Sequence, residues 1–155
     1  MNMSLPFSRL TALFLVIAFF FTLPAVLSAQ TTNDTKNFQY WFEKGSLLSV
    51  YGNQKAAVQA LSKAIAFESE NSEAHFNLGV AYAENGDYEN AIAAVNRAIQ
   101  LNSSVPHYHY GRGWIHLRAN NHDYGISDMQ EAARLQHADA IRYLEIINPR
   151  HADSY

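Results

Sequence analysis

The sequence contains no cysteine. This absence excludes disulfide bonds, thiolate ligands for a metal, a cysteine nucleophile and a lipid-modified amino-terminal cysteine. The folded part of the chain must therefore be stabilised by packing.

Charge is also scarce, because only 16% of the 155 residues are charged and the formal net charge is -3. No basic field is present to attract nucleic acid, so the composition argues against a nucleic-acid partner.

Enzyme motifs are missing too: Gly111-Arg-Gly113 lacks the third glycine and the preceding strand of a dinucleotide site, and the sequence has no Walker loop, G-x-S-x-G elbow or H-E-x-x-H. We expect a protein that is not an enzyme and has no cofactor.

The seven histidines do not form a metal-binding pattern, because no two are three or four residues apart. His107 and His109 point to different sides of a helix, and His109 and His116 are separated by roughly 10 Å along it. Neither pair can chelate one ion alone, so no metal site is predicted.

The first 29 residues have the layout of a secretory signal peptide: Arg9 precedes a mostly apolar run over 10–29, and the polar Gln30 follows. Cleavage after Ala29 is expected, but Leu27 is larger than the usual residue three places earlier. An uncleaved membrane anchor stays open, because 20 residues at about 1.5 Å each just span a bilayer of roughly 30 Å. Both alternatives export the rest of the chain, as a periplasmic, secreted or membrane-anchored protein. Residues 30–37 are predicted to be a disordered tether.

The remaining sequence repeats with a period of 34 residues. Small and large residues keep the same phase in three ungapped copies, and this period is typical of helix-turn-helix repeats. The matched places are Gly45, Gly52, Ala57, Leu61, Ala64 and Phe67 in the first copy, Gly79, Gly86, Ala91, Val95, Ala98 and Leu101 in the second, and Gly113, Asn120, Gly125, Met129, Ala132 and Leu135 in the third.

Each copy predicts two helices joined by a tight turn. The first helices are expected over 38–50, 73–84 and 107–119, and the second helices over 54–67, 88–101 and 122–135. The turns need a left-handed residue followed by an N-cap residue, and the sequence supplies Gly52-Asn53, Gly86-Asp87 and Asn120-Asn121. A glycine inside each first helix predicts a close crossing against a small residue of the second helix, with a larger core residue one turn further on. These sets are Gly45, Ala57 and Leu61; Gly79, Ala91 and Val95; and Gly113, Gly125 and Met129.

One more amphipathic helix is predicted over 138–148, ending before Pro149. A terminal repeat leaves an apolar face uncovered, so this helix is expected to cap the array. Residues 149–155 are predicted to be a frayed tail.

Residues 38–135 resemble the tetratricopeptide repeat family. The middle copy, NLGVAYAENGDYENAIAAVNRAIQL, is close to the family pattern. The first copy has Trp41 at the family's tryptophan place but Lys44 for the usual leucine, while the third has Arg112 and His116 for the usual leucine and tyrosine. The resemblance implies an all-α, right-handed α-solenoid of three repeats, at 38–71, 72–105 and 106–137, plus the capping helix, with the first helices lining the concave side.

Within that implied architecture, positions i, i+4 and i+7 of the first helices share a face that is rich in aromatic residues. We predict that this face is a groove for an apolar or aromatic peptide segment, with Asn77 and Arg118 available for backbone or carboxylate contacts. The predicted groove residues are Phe42, Ser46, Phe76, Asn77, Val80, Tyr110, Trp114 and Arg118. In the alternative interpretation, half of the rings pack between adjacent repeats.

A carboxylate clamp is not expected. Chaperone-binding members of the family hold a peptide carboxylate with Lys, Asn, Asn, Lys and Arg. The corresponding places here hold Phe42, Ser46, Asn77, His107 and Gly111, of which only Asn77 agrees.

The amino-terminal end of the array has four aromatic residues among five: Phe38, Tyr40, Trp41 and Phe42. The outer face of a terminal repeat is normally polar, and an exposed apolar patch marks a partner surface. We predict self-association, such as a homodimer, or docking through Phe38, Tyr40 and Trp41. The alternative is that the tether or the first helix pair covers these rings.

The sequence therefore predicts an exported, non-enzymatic module that binds a protein or peptide segment in its groove, as a scaffold or assembly factor. Two alternatives remain: a structural, self-associating envelope component, and a membrane-tethered adaptor if residues 10–29 are retained.

Overall fold

The computed structural model describes residues 37–148, and this part of the chain consists of helices and short turns. The predicted signal peptide or anchor, most of the predicted tether and the predicted tail lie outside the described residues. The helices are α1 (Phe38–Val50), α2 (Gln54–Phe67), α3 (Ser72–Glu84), α4 (Tyr88–Leu101), α5 (Pro106–Arg118), α6 (His122–Arg134) and α7 (Ala138–Ile147). The predicted all-α solenoid is confirmed.

The helices form three antiparallel pairs, α1 with α2, α3 with α4 and α5 with α6, which stack in chain order, and α7 packs on α6. Two first helices begin one residue earlier than predicted, because Asn71 caps α3 at Ser72 and Pro106 can occupy the first turn of α5. Both helices of the third repeat also end one residue earlier than predicted, at Arg118 and Arg134. Between residues 37 and 148, no helix combines the length and apolar character that crossing a membrane requires.

The turns inside the repeats have the predicted backbone conformation. Gly52, Gly86 and Asn120 have φ angles of 79°, 82° and 62°. Asn53 and Asp87 then accept hydrogen bonds from backbone N–H groups of the following helices. The prediction was wrong at Asn121, which occupies the N-cap position without making a side-chain capping bond.

The predicted close crossings at the glycines are confirmed, although the atoms nearest to Gly45 belong to Leu61 and not to the predicted small residue Ala57. A Cβ on Gly45 would lie 2.6 Å from Leu61 Cγ, and one on Gly79 would lie 2.5 Å from Val95 Cγ2. A Cβ on Gly113 would lie 3.0 Å from Gly125 O. Within the described part of the chain, Leu61, Val95 and Met129 are the largest fully buried side chains, so each helix pair crosses closely around one equivalent core residue.

The turn before α7 has the same form as the turns within the repeats. Gln136 adopts a φ angle of 67°, and His137 N donates to Ala132 O at 2.9 Å, as Asn121 N donates to His116 O at 2.8 Å. The sequence gives no glycine or asparagine signal for this left-handed residue. Ala140 and Leu144 of α7 pack on the third repeat as a cap, and the helix ends one residue before the predicted end.

The third repeat also contains a buried polar network that the repeat pattern does not predict. Arg112 donates through Nε and Nη2 to the two carboxylate oxygens of Asp128, at 2.8 and 2.6 Å. Its Nη1 donates to Asn96 Oδ1 of the preceding repeat at 2.6 Å. This network joins α4, α5 and α6.

Candidate functional site

An apolar hollow of about 590 Å³ lies between α3 and α5. It contains five of the eight predicted groove residues, and three further residues that were not predicted as part of the groove. It is lined by Phe76, Asn77, Val80, Ala83, His107, Tyr110, Gly111 and Trp114. His107 lies three residues before Tyr110, and Gly111 lies four residues after His107, so helical spacing could have indicated both.

Phe76 has both of the roles that the sequence left as alternatives. The side chain is only 6% exposed, and its ring stacks on Tyr108 at 5.0 Å and contacts His107 at 4.9 Å, so it packs between repeats. It still forms part of the hollow's wall. Gly111 makes room for this ring, because a Cβ there would lie 2.6 Å from Phe76 Cε2.

Trp114 is an exposed ring of the hollow, with 45% of its surface accessible. The Arg118 guanidinium lies 4.9 Å from the ring centroid, and Arg118 Nη1 donates to Glu84 Oε1 at 2.7 Å. Arg118 was expected to be available for a ligand carboxylate, but it is already paired with Glu84. The sequence did not indicate this pair because its partners belong to different repeats.

The first repeat contributes a smaller hollow of about 180 Å³ that shares Asn77 and Val80 with the first. Ser46 lines this hollow and accepts a long hydrogen bond, 3.4 Å, from Asn77 Nδ2. Phe42 lies outside both linings: its ring stacks on Phe38 at 5.3 Å and packs on the core between the first two repeats. We call the two adjoining hollows the groove.

The amino-terminal rings predicted for self-association are only partly exposed. Trp41 is half-buried, and Lys63 Nζ lies 4.2 Å from its ring centroid. The Phe38 ring stacks on Phe42. Tyr40 is 38% exposed. The more exposed apolar residues of this end lie further along the chain, at Leu47, Val50 and Tyr51.

Histidines that are distant in sequence meet beside the groove. His107 Nδ1 lies 3.4 Å from His137 Nε2, and the His137 ring stacks on Tyr110 at 4.3 Å. Among the described residues there is no cluster of three His, Cys, Asp or Glu side chains that could hold a metal ion.

Two family models match the chain. The model described as "Tetratricopeptide repeat" matches residues 72–105, and the one described as "TPR repeat" matches residues 51–86. No curated protein matches the sequence.

Solved structures share the fold. The crystal structure of MamA has a TM-score of 0.68 and 21% identity, over 77% of this chain and 71% of that one. MamA 41-end from Desulfovibrio magneticus RS-1 has a TM-score of 0.62 and 24% identity, over 64% of this chain but only 56% of that one. The first TPR of Spaghetti (RPAP3), bound to the HSP90 peptide SRMEEVD, has a TM-score of 0.67 and 20% identity, over 76% of this chain and 94% of that one.

Proposed function

The chain belongs to the tetratricopeptide repeat family, and we propose that it is a non-enzymatic interaction module whose groove binds an extended segment of a partner protein. The observation that carries this proposal is the apolar hollow between α3 and α5 with Trp114 exposed on its wall. An exposed tryptophan in a concave apolar site is a common binding hot spot. A solved structure of the same fold holds a peptide, which supports this mode of binding.

The chemistry of the groove favours an apolar or aromatic side chain of the partner. The peptide held by the Spaghetti domain has two glutamates and a terminal aspartate. In the groove described here, the lining has no lysine or arginine, and the adjacent Arg118 is paired with Glu84. We therefore propose that the partner inserts an apolar side chain beside Trp114, with Asn77 as a polar contact.

We also propose that the module acts outside the cytoplasm as a scaffold or assembly factor, periplasmic or secreted, with membrane anchoring as the alternative. The apolar run over 10–29 supports this location. Amino-terminal sequencing of the protein recovered from its host tests it. Gln30 as the first residue would support a released module, and Met1 would support an anchored one.

The groove is tested by screening a peptide array with the purified domain and then measuring affinity for the strongest peptides. We expect Trp114→Ala to weaken binding at least tenfold, because truncation of a central hot-spot residue costs about 2 kcal/mol or more. Tyr124→Ala is the matched control, since Tyr124 is 69% exposed and lies outside the groove. Peptides that bind Trp114→Ala and wild type equally would contradict the proposal.

A second candidate function is self-association through the outer face of α1. Tyr40 and Leu47 are exposed, whereas Ala81 and Ile115, at the places equivalent to Leu47, are 0% and 3% exposed. The difference arises because α3 and α5 pack on a preceding repeat, and no repeat precedes α1 among residues 37–148. We propose that a second copy covers this face. Light scattering should then detect a dimer that Leu47→Glu dissociates, and a monomer at high concentration would reject it.

A further inference from the structure

His107 and His137 form a contact between the groove and the cap. His107 lies on α5 and lines the groove, while His137 is the N-cap residue of α7 and follows the left-handed Gln136. Their facing nitrogens are 3.4 Å apart and their ring centroids 5.7 Å apart, at an interplanar angle of 15°. The other His137 nitrogen, Nδ1, is buried and has no hydrogen-bond partner among residues 37–148.

These positions determine where the ring protons can lie. When both rings are neutral, His137 Nε2–H donates to His107 Nδ1, and the buried His137 Nδ1 carries no proton. An unpartnered acceptor costs less than an unpartnered N–H group, so we assign Nε2–H to both rings.

Every singly protonated form of the pair is unfavourable. Each neutral ring already carries one N–H proton, so charging the pair adds a third. That proton either lies on His137 Nδ1, where it is a buried donor without an acceptor, or makes both facing nitrogens donors. The first arrangement incurs a desolvation cost and the second breaks the hydrogen bond. The contact is therefore stable only while both histidines are neutral.

No nearby charge offsets this cost. Around the pair, α3 contributes Phe76 and α5 contributes Tyr110, and no described carboxylate oxygen lies within 4 Å of either imidazole. The nearest acidic residue along α7, Asp139, accepts a hydrogen bond from Arg142. On α6, Glu131 is paired with Arg134.

We propose that the His107–His137 pair is a proton-sensitive contact that releases the wall of the groove from the capping helix when the surroundings become acidic. The His107 ring contacts Phe76 at a tilt of 57° and lies parallel to the His137 ring within 15°, so separation of the pair moves a residue of the groove lining. The same separation frees the N-cap residue of α7. The effect on partner binding rests on the function proposed above, but the proton-sensitive contact itself does not.

The pKa of His107 supports the direction of this effect. Partial burial of the ring, and then the nearby His137, lower the pKa of His107 below 6.5. The unfolded chain therefore binds more protons in the interval below pH 6.5, so this contribution to stability is complete above that pH and is lost as the pH falls through the lowered pKa. Burial also lowers the pKa of His116, which makes a histidine-specific readout necessary.

Trp114 fluorescence provides a readout that needs no ligand, because Trp114 and His107 line the same hollow. The full chain with Trp41→Phe leaves Trp114 as its sole tryptophan. Between about pH 8 and about pH 5, we expect its emission to change in one step below pH 6.5 while the far-ultraviolet circular dichroism stays constant. His107→Phe keeps an aromatic ring but cannot be protonated, so the step should disappear.

His122→Asn is the matched control, because His122 is exposed and its bond is to Asn120. It should retain the step. An equal step in His107→Phe would overturn the proposal.

If His107→Phe does not fold, side-chain nitrogen NMR of the wild type decides. Nε2–H on both rings and titration of His107 below pH 6.5 would support the contact. Any other tautomer, or a higher pKa of His107, would overturn it. A groove that binds peptides without this pH effect would leave the proposed function intact.

Discussion

The second and third repeats place different residues at two equivalent positions of the same helix pair. In the second repeat these are Leu78, which packs on the core of the first repeat, and Ala94. In the third they are Arg112 and Asp128, joined by two hydrogen bonds of 2.8 and 2.6 Å. After a shift of 34 residues, the helices of the two repeats nevertheless begin at the same positions, and only the second helix of the third repeat ends one residue earlier.

This comparison shows that the fold accepts an ion pair at two positions that are apolar in the neighbouring repeat. A buried charge is tolerated if its partner and its hydrogen bonds are all present. Here Asp128 receives both bonds from Arg112, and Arg112 gains Asn96 as a third partner. The repeat backbone therefore accommodates either apolar or charged side chains at these positions.

The largest effect is expected when only half of this pair is removed. Asp128→Ala leaves the Arg112 guanidinium, whose side chain is 24% exposed, without its counter-ion. We expect the free energy of unfolding, measured by urea denaturation, to fall by about 2 to 4 kcal/mol, because breaking a largely buried pair leaves an uncompensated charge.

The matched variant changes both positions to the residues of the second repeat. Arg112→Leu with Asp128→Ala should recover most of the loss and lie within about 1 kcal/mol of the wild type, since apolar replacements of buried pairs are often neutral or stabilising. A double variant less stable than Asp128→Ala alone would show that the polar network is required by the third repeat.

A smaller effect is expected at the helix crossings, where the second repeat is the tighter. A Cβ on Gly79 would meet Val95 Cγ2 at 2.5 Å and Ala91 O at 2.9 Å, whereas the nearest atoms to one on Gly113 lie at 3.0 Å. Alanine gains about 1 kcal/mol of helix propensity over glycine, and overpacking costs about 1 to 3 kcal/mol. We expect Gly79→Ala to lower the free energy of unfolding by about 1 kcal/mol and Gly113→Ala to change it little.

Urea midpoints of the two glycine variants, measured side by side, test this difference. Equal losses of unfolding free energy would mean that the longer contact distances at Gly113 do not reduce the cost of adding a methyl group in the third repeat. A gain in both variants would mean that the helices separate without cost.

The sequence predicted the features that depend on one residue type at a local position. Gly52 and Gly86 mark left-handed turns, and Gly79 marks a close crossing, because no other residue type serves there as easily. Arg112 was visible as a departure from the family pattern. Its partner Asp128, which lies at the place of the third repeat equivalent to Ala94 in the second, was the compensating signal that could have identified the pair.

Features that depend on packing across repeats were not predictable in this way. His107 and His137 are 30 residues apart and meet because Gln136 closes an unexpected left-handed turn. Phe76 was assigned either to the groove or to the core, although one side of a ring can pack between repeats while its edge lines a hollow. Aromatic spacing gives the helix face but not the depth of each ring.

The smallest expected effect concerns the N-caps of the two second helices. Asp87 Oδ1 accepts from Asn90 N at 3.2 Å, whereas Asn121 makes no side-chain capping bond. Loss of a capping bond costs about 1 kcal/mol, so Asp87→Ala should lower the free energy of unfolding by that amount and Asn121→Ala by a few tenths at most. Asp87→Asn keeps the capping acceptor but loses the helix-dipole interaction of about 0.3 to 1 kcal/mol, together with the 2.7 Å hydrogen bond that Asp87 Oδ2 accepts from Asn90 Nδ2. Thermal unfolding followed by circular dichroism at low and high salt measures all three. If Asp87→Ala and Asn121→Ala lower the free energy of unfolding equally, the capping bond does not distinguish the stability of the two turns. The left-handed residue before each N-cap would then account for the stability of both.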